Sequence, residues 1–412
     1  MTRPTEAMRP ALFRELLPFD EALNRTIAAA RPVARTTVVP VTDAPGRVAA
    51  VDVISPLDVP PFDRAAMDGY AVRAADTTGA TADHPVVLEC IARTFTGEGP
   101  ARRLEAGECV EVATGAPIPA GADAVVMVER TSRAPDGRVL VHETAREGQH
   151  IGRRGTDIER GHVVIRTGDF ITAARAGAIA ATGRVDIDVY DRPRVAILTT
   201  GNEVVPPGQP LAAGQVYDIN RITLAAIVRQ HGGTADILPI IDDDVDAIVE
   251  ALRRAAATAD LVVTSGGSSV GGRDLLLDAL DRCGRIVYHG IAVKPGKPTL
   301  FGFIGETPLL GLPGNPASCL SNAVLLLVPL LRQTARLPVW RPLRRRLPLA
   351  RSIRRLADRH QFYTVRIAGD LAEPAFKSSG DITSMATADG FIEVAAGAGE
   401  LSAGESVDVM LF

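Results

Sequence analysis

The fold of this chain is decided by one stretch, Thr264-Ser265-Gly266-Gly267-Ser268-Ser269-Val270-Gly271-Gly272-Arg273-Asp274. It follows an apolar run at 260–264 that is typical of a buried strand, and it precedes residues 275–280, which are typical of a helix start. A glycine- and hydroxyl-rich loop between a strand and a helix presents backbone N–H groups and a helix N-terminus to an anion. The stretch therefore predicts an anion-binding loop, although it is neither GxxxxGK[ST] nor GxGxxG.

Strand and helix patterns alternate on both sides of this loop. The predicted strands are 194–199, 235–241, 260–264, 286–293 and 300–303. The predicted helices are 220–231, 244–257, 273–283 and 316–332. This alternation predicts a doubly wound α/β domain with a mostly parallel sheet.

The remaining sequence shows short Val- and Ile-containing runs separated by glycine and proline turns, which is typical of β structure. A length of 412 residues exceeds what one hydrophobic core accommodates. We predict an elongated N-terminal domain at 1–60 and 145–192, a small inserted β domain at 61–144, the α/β domain at 193–336, and a C-terminal β-barrel-like domain at 337–412.

Composition restricts the classes of partner. The formal net charge is −4 and aromatic residues make up 4%, which argues against a nucleic-acid-binding protein. The four cysteines form no CxxC pair and lie near no histidine at metal-ligand spacing, which fits a reducing compartment. The first 20 residues lack a signal-peptide core, and the longest apolar run, 323–331, is half of a membrane span. We therefore expect a soluble, cytoplasmic protein with no nucleic-acid or membrane partner.

Polar residues follow several strands of the predicted sheet. Glu203 ends a Thr-Thr-Gly-Asn-Glu sequence after the first strand, an aspartate triplet centred on Asp243 follows the second, and a Lys-Pro-Gly-Lys-Pro sequence starting at Lys294 follows the fourth. Ligands of doubly wound sheets bind outside the carboxyl ends of the strands. The acids suit Mg²⁺, and the lysines suit phosphate or another oxyanion.

Each of these features also has an ordinary explanation. Acids such as Asp243 are common at solvated helix N-termini, and lysines are usually exposed. The sequence 311–316 fits a turn before a helix that starts at Pro316. His289 fits a half-buried strand end, and Asp68 fits a turn before Gly69. Convergence on one edge of one sheet is the stronger indication of a site.

Seven motifs, in order across nearly the whole chain, resemble the molybdopterin molybdenumtransferases (MoeA and the E domain of gephyrin). They are Asp63-Arg-Ala-Ala-Met-Asp68-Gly-Tyr-Ala71, Ala113-Thr-Gly-Ala-Pro117, Arg154-Gly-Thr-Asp157, Thr200-Gly-Asn-Glu203, Ser265-Gly-Gly-Ser-Ser-Val-Gly271, Lys294-Pro-Gly-Lys-Pro298 and Gly311-Leu-Pro-Gly-Asn-Pro316.

The resemblance implies a MogA-like α/β domain and a head-to-tail homodimer, whose active cleft lies between the α/β domain of one subunit and the first and β segments of its partner. It implies small-molecule pterin and oxyanion substrates: adenylylated molybdopterin receives molybdate, AMP leaves, and Mg²⁺ is required. Contacts with a MogA-like adenylyltransferase and with recipient molybdoenzymes are also implied.

The resemblance further implies the roles of individual residues. Catalytic roles fall to Asp68, Glu203, Asp243, Asp274 and Lys294, of which Glu203, Asp243 and Asp274 are expected metal ligands. Substrate-binding roles fall to Thr114, Asp157, Gly266, Gly267, Ser268, Ser269, Lys297, Pro313, Pro316, Arg366 and Ser379.

The sequence departs from the family pattern at Gly290, beside His289, where many members have a lysine. A preference for tungstate therefore stays open. Two other functions also stay open: a scaffold that holds a pterin or a protein partner, and a nucleic-acid patch in the arginine-rich connector 341–355. The retained acids argue against the scaffold, and the negative net charge argues against the patch.

Overall fold

A computed structural model describes residues 16–266, 274–378, 380–397 and 399–412. The chain divides into two compact units. The larger unit contains the described residues of Met1–Thr37, Gly46–Val48 and Val189–Phe412, and the smaller unit contains Val38–Pro45 and Ala49–Asp188.

The α-helices are short and most of them lie in the larger unit. They are α1 (Phe19–Ala28), α2 (Ala173–Ala181), α3 (Asn220–Gln230), α4 (Val245–Ala256), α5 (Leu275–Cys283), α6 (Pro316–Asn322), α7 (Val328–Thr334) and α8 (Thr383–Ala386). Single 3₁₀ turns lie at Val41–Asp43, Ala74–Thr77 and Val128–Arg130, and a π-helical turn lies at Ala323–Leu327.

The first strands, up to residue 190, are mostly those of the smaller unit. They are β1 (Thr36–Pro40), β2 (Val53–Ile54), β3 (Arg64–Ala65), β4 (Gly69–Val72), β5 (Val86–Thr94), β6 (Glu108–Val112), β7 (Ala124–Met127), β8 (Thr131–Arg133), β9 (Val139–Val141), β10 (Ile151–Gly152), β11 (Val163–Ile165) and β12 (Asp186–Tyr190).

A six-stranded sheet with the order β7-β4-β6-β5-β9-β8 forms the centre of the smaller unit. All four residues of β4 are buried because β6 and β7 flank it on both sides. A Cβ on Gly69 would lie 2.0 Å from the carbonyl oxygen of Val126, so β4 needs glycine at this position to pair with β7. This pairing fixes the backbone directly after Asp68.

The later strands belong to the larger unit. They are β13 (Arg194–Thr199), β14 (Val204–Val205), β15 (Val216–Tyr217), β16 (Thr234–Ile237), β17 (Leu261–Ser265), β18 (Arg285–His289), β19 (Val293–Lys294), β20 (Leu300–Ile304), β21 (Thr307–Leu312), β22 (Arg344–Pro348), β23 (Ile353–Arg354), β24 (His360–Ala368), β25 (Leu371–Pro374), β26 (Gly390–Val394), β27 (Glu400–Leu401) and β28 (Ser406–Leu411).

The predicted doubly wound α/β fold is confirmed. The sheet order is β16-β13-β17-β21-β20-β18, and only β20 runs against the other strands. Alternate residues of β13 point to opposite faces: Val195 and Ile197 pack with α3, α6 and α7, whereas Ala196 and Leu198 pack with α4 and α5. Helices therefore cover both faces.

The sequence did not predict β21, although this strand lies between β17 and β20. It contains Pro308, which in a short apolar run argues against a central strand. Pro308 is tolerated at the second position of the strand, opposite Phe303, after the turn at Gly305.

Helix α1 packs with the larger unit, whereas the sequence assigned residues 1–60 to the elongated N-terminal domain. Phe19 and Ala22 are buried in the same apolar cluster as Leu331 of α7. The position of α1 in the larger unit is therefore explained by the burial of its apolar face.

Helices α6 and α7 and the π-helical turn between them form one continuous segment. The proline ring of Pro329 disfavours regular hydrogen bonding one turn earlier, which accounts for the wide turn at Ala323–Leu327. Among the residues that the structure describes, Pro316–Thr334 is long and apolar enough to cross a membrane by length and composition, but 72% of it is buried within the protein.

The C-terminal region forms a sheet with the order β19-β24-β26-β28-β22, and β25 pairs with β24. Strand β19 comes from the sequence of the α/β domain, and its Val293 and Lys294 pair in parallel with His360 and Gln361 of β24. The sequence that contains the predicted lysines is thus joined by hydrogen bonds to the C-terminal sheet.

Candidate active site

A cleft of about 730 Å³ lies at the carboxyl ends of β13, β17 and β21. Its lining includes five of the residues predicted for the site: Glu203, Asp243, Gly266, Pro313 and Pro316. It also includes Gly380, which directly follows the predicted Ser379. The cleft therefore lies where a doubly wound sheet binds its ligands.

The loops that carry Glu203 and Asp243 are joined through Asn202. The backbone N–H of Asn202 donates to Asp243 Oδ2 at 3.4 Å, and the N–H of Asp243 donates to Asn202 Oδ1 at 3.1 Å. The carboxylate of Glu203 folds over Gly201, where a Cβ would lie 2.9 Å from Glu203 Oε2. Two exposed carboxylates thus belong to one wall of the cleft.

The floor of the cleft is a buried polar network. Asn220 Nδ2 donates to Ser265 Oγ at 2.7 Å and to the carbonyl oxygen of Gly314 at 2.8 Å. Cys319 Sγ donates to the same Ser265 hydroxyl at 3.8 Å. Burial raises the pKa of Cys319 to about 12, so this thiol stays protonated near neutral pH and is not a nucleophile.

Three threonine hydroxyls at the ends of β13 and β17 lack a hydrogen-bond partner among the described residues. They belong to Thr199, Thr200 and Thr264, each of which is at most 4% exposed. A buried hydroxyl without a partner costs about 1–3 kcal/mol. Because Thr199 and Thr200 line the cleft, these groups are suited to polar atoms of a ligand or to bound water.

Gly266 joins β17 to the glycine-rich loop. Its φ is +94°, and a Cβ there would lie 2.3 Å from the carbonyl oxygen of Thr200. Only glycine therefore fits at this position. The predicted residues Gly267, Ser268 and Ser269 lie outside the described residues.

Asp274 is buried at 3% exposure, and its side chain contacts both α5 and β18. Its Oδ1 accepts the backbone N–H of Leu277 and so caps α5, and its Oδ2 lies 3.0 Å from His289 Nε2. The helix cap explains the position of Asp274 in physical terms. The contact with His289 was not predicted, because the two residues are joined only through the pairing of separate elements.

The turn Lys294–Pro298, here called the lysine turn, is held by a buried amide. Asn322 Nδ2, at the end of α6, donates to the carbonyl oxygen of Gly296 at 2.9 Å and to Thr299 Oγ1 at 2.6 Å. Gly296 has a φ of +106°, and a Cβ there would lie 2.1 Å from Asn322 Nδ2. Lys294 is exposed and Lys297 is half-buried. Nothing in the local sequence pattern indicated Asn322.

Pro313 and Pro316 also line the cleft. Pro316 is the first residue of α6, as predicted, and Asn315 precedes it at the N-cap position. The N-terminus of α6 therefore opens on the cleft and favours negative charge there.

Arg366 lies on β24, where its exposed guanidinium forms an ion pair with Glu373 at 2.7 Å. This pair crosses between neighbouring strands. Arg366 is not among the residues that line the cleft in the described parts of the chain. Ser379 lies outside the described residues.

In the smaller unit, Asp68 and Thr114 are in direct contact. Asp68 Oδ1 accepts the backbone N–H of Thr114 at 2.6 Å and its hydroxyl at 2.7 Å. These two hydrogen bonds lower the pKa of Asp68, so the carboxylate form is favoured. The two residues, both expected in the site from the family resemblance, are 46 positions apart in the chain.

Asp157 is exposed in a loop of the smaller unit, and its N–H donates to the carbonyl oxygen of Val59 at 3.0 Å. Asp63 fixes the start of this loop, because its carboxylate accepts the N–H of Arg154 and Nη1 of Arg153, each at 2.8 Å. The Arg-Gly-Thr-Asp motif is thus bound to the motif that contains Asp68.

No group of three His, Cys, Asp or Glu side chains suited to a metal ion occurs among the described residues. Two carboxylates in one cleft, Glu203 and Asp243, still suit Mg²⁺, which usually takes one or two carboxylates and completes its shell with water and ligand phosphates.

Family models match nearly the whole chain. A model described as the MoeA N-terminal region (domain I and II) matches residues 17–183, one described as a probable molybdopterin binding domain matches 196–333, and one described as the MoeA C-terminal region (domain IV) matches 346–412. Fold and models together define a multidomain protein built around an α/β domain of the molybdopterin-binding type.

Relatives and solved structures agree. The chain is 36% identical to molybdopterin molybdenumtransferase 2 of Mycobacterium tuberculosis, covering 94% of this chain and 97% of the relative. It is 31% identical to the molybdopterin molybdenumtransferase of Haemophilus influenzae, covering 96% and 99%. The structure of a molybdopterin biosynthesis MoeA protein from Pyrococcus horikosii matches with a TM-score of 0.84 and 38% identity, covering 96% and 99%. The chain belongs to the MoeA family of molybdopterin molybdenumtransferases, as the motifs predicted.

Proposed function

We propose that this protein inserts molybdate into adenylylated molybdopterin in a Mg²⁺-dependent reaction that releases AMP. The observation that carries the proposal is the cleft of a MoeA-family chain, in which the carboxylates of Glu203 and Asp243 and the N-terminus of α6 line one cavity. Carboxylates and a helix N-terminus are the groups expected around a metal–phosphate ligand.

The chemistry requires neutralisation of charge. Cleavage of a phosphoanhydride develops negative charge on phosphate oxygens, and fixed positive groups stabilise it. Glu203 and Asp243 would hold Mg²⁺, with Asp274 as the third predicted ligand, and the bound ion would supply charge neutralisation. Lys294 and Lys297 would bind the phosphate or the oxyanion, and the glycine-rich loop would present backbone N–H groups.

We further propose a cytoplasmic head-to-tail homodimer in which Asp68, Thr114 and Asp157 of one chain complete the cleft of the other. Support comes from the direct contact between Asp68 and Thr114 and from the exposure of both side chains. A MogA-like adenylyltransferase and recipient molybdoenzymes are the proposed protein partners. Arg366 and Ser379 stay proposed substrate contacts of the C-terminal domain.

The test is AMP release from adenylylated molybdopterin by the purified protein, with molybdate and Mg²⁺ present. We expect Glu203→Gln and Asp243→Asn to lower kcat/KM at least about 100-fold, because each removes a metal-binding carboxylate. Matched controls are Glu250→Gln, on the exposed side of α4, and Asp242→Asn, which is adjacent to Asp243 but lines a different groove.

The controls should keep full activity. Full turnover by Glu203→Gln and Asp243→Asn would refute the residue assignment. Absence of AMP release by the unaltered protein, together with tight binding of the pterin, would favour a scaffold instead.

A further inference from the structure

Lysine is rare in this chain. Of the 45 lysine and arginine residues, only Lys294, Lys297 and Lys377 are lysines. Arginine therefore serves at nearly every basic position, exposed ones included. Two of the three lysines lie in the lysine turn, which is proposed to bind the anion. We therefore asked whether the third, Lys377, lies near the same cleft.

The cleft itself is acidic. Among the described residues that line it are Glu203, Asp218 and Asp243, and none is a lysine or an arginine. Asp218 already forms an ion pair with Arg221 at 2.6 Å. An anionic substrate at this wall therefore needs positive charge from residues at the rim.

Two residues that line the cleft have a lysine close to them in sequence. Pro298, which lines the cleft, directly follows Lys297. Gly380, which also lines the cleft, is three positions after Lys377. Lys377 is exposed, and none of the ion pairs among the described residues involves it.

Helix α8, which begins six positions after Lys377, contacts helix α6. Ser378 Oγ donates to Asp381 Oδ2 at 2.9 Å, which closes a turn before α8. Met385 of α8 is buried, and its sulfur accepts a hydrogen bond from Ser321 of α6 at 3.9 Å. Pro316 at the start of α6 and Gly380, three positions after Lys377, both line the cleft, so the residues that lead into α8 lie at the same opening as the start of α6.

We infer that Lys377 is a further anion-binding residue of the cleft and acts with Lys294 and Lys297 on a tetrahedral oxyanion of the substrate. An ammonium group is a compact point charge with three rotatable donors on a flexible stem, so an exposed lysine can donate to a tetrahedral oxyanion. The inference rests on the proposed function for the identity of the anion, either the phosphate of the adenylate or molybdate.

The scarcity of lysine allows a direct test by amine acetylation and mass spectrometry. The full-length protein is treated with an acetylating reagent alone, with AMP and Mg²⁺, or with molybdate, and the rate at each lysine is measured. We expect AMP to slow acetylation of Lys377 together with Lys294 and Lys297, while the N-terminal amine reacts unchanged. Protection by molybdate alone would assign Lys377 to the oxyanion instead of the phosphate.

Unchanged acetylation of Lys377 under conditions that protect Lys294 and Lys297 would overturn the inference, and so would protection of no lysine at saturating ligand. AMP release by the unaltered protein is measured separately. If that release fails while AMP still protects Lys377, the proposed reaction is wrong and the assignment of Lys377 stands.

A second readout uses variants. Lys377→Gln should weaken AMP binding and raise KM for adenylylated molybdopterin about tenfold with little change in kcat, since it removes one charge-assisted hydrogen bond. Lys377→Arg should recover part of the loss. Arg345→Gln, an exposed charge loss on β22 of the same sheet region, is the control and should change KM less than about twofold. Equal effects of Lys377→Gln and Arg345→Gln would refute the inference.

Discussion

Asp68 is an exposed carboxylate whose ionised form is stabilised by hydrogen bonds and not by burial. Its side chain is exposed, yet two donors of Thr114 meet the same oxygen. The lowered pKa means that the contact stabilises the ionised form. This stabilisation is present above the ordinary pKa of an aspartate and is lost as pH falls through the lowered value.

Replacing the hydroxyl tests this assignment. Thr114→Val should raise the pKa of Asp68 toward its ordinary value but not fully, because the backbone N–H of Thr114 still donates. The measurement is a titration of the Asp68 carboxyl carbon by NMR. Thr131→Val, which removes a hydroxyl bonded to a backbone carbonyl in the same unit, is the control and should leave the pKa of Asp68 unchanged. An unchanged value in Thr114→Val would contradict the assignment.

At the scale of residues, the sequence identified those side chains that carry the motifs. Glu203 and Asp243 were predicted for one edge of a sheet, and they line one cleft. The sequence did not predict the residues that hold the motifs in place. Asn322 donates a hydrogen bond to the carbonyl oxygen of Gly296, and His289 contacts Asp274. Such contacts join separate elements, and a buried amide or imidazole has no local pattern that distinguishes it.

At the scale of elements, the step from β17 into the glycine-rich loop requires glycine both for its positive φ and for its close approach to another backbone segment. Gly266→Ala places a Cβ 2.3 Å from a backbone oxygen at a positive φ, and the backbone must move to relieve the clash. We expect a loss of about 3 kcal/mol or more in the free energy of unfolding of the larger unit. AMP binding should also be lost, because the loop follows Gly266 directly.

Gly208 provides a matched control. Its φ is +95°, nearly that of Gly266, but no atom lies within 4 Å of a Cβ there. Gly208→Ala should therefore cost only about 1 kcal/mol and leave AMP binding intact. The measurements are thermal unfolding and calorimetric titration with AMP for both variants. Equal losses of stability would show that the positive φ alone, and not the close approach to Thr200, explains the requirement for glycine at Gly266.

Helices with strong hydrophobic periodicity were predicted well, whereas a short strand whose pattern is interrupted by proline and glycine was not. Helices α3, α4 and α5 begin and end within two residues of the predicted positions. Strand β21 was missed because Pro308 and two nearby glycines obscure its β pattern. Its place beside β17 depends on pairing with strands distant in sequence, which no local rule contains.

At the scale of the whole molecule, the proposed dimer makes a complementation experiment possible. Asp68→Asn and Asp243→Asn should each be inactive as homodimers if one chain supplies Asp68 to the other chain's cleft. Mixing equal amounts after dissociation and reassociation should restore about a quarter of the unaltered activity, because half of the dimers are mixed and each has one intact site. AMP release before and after mixing is the measurement.

The control is a mixture of Glu203→Gln with Asp243→Asn, which both damage the same cleft. This mixture should stay inactive in any assembly. No recovery in the first mixture, despite demonstrated subunit exchange, would rule out a site shared between chains. Recovery in the control mixture would show that Glu203 and Asp243 of one chain do not act in the same cleft.

The pairing of β19 with β24 has a consequence for how such proteins diverge. Lys294 lies on β19, which pairs with β24 of the C-terminal sheet, so the position of its backbone depends on a domain other than its own. If Lys294 binds the anion as proposed, exchange of the C-terminal domain between relatives would change anion selectivity while every motif stays intact. Replacing the C-terminal domain would also change the strand that pairs with β19, and so the backbone that carries Lys294, without changing any residue of the motifs.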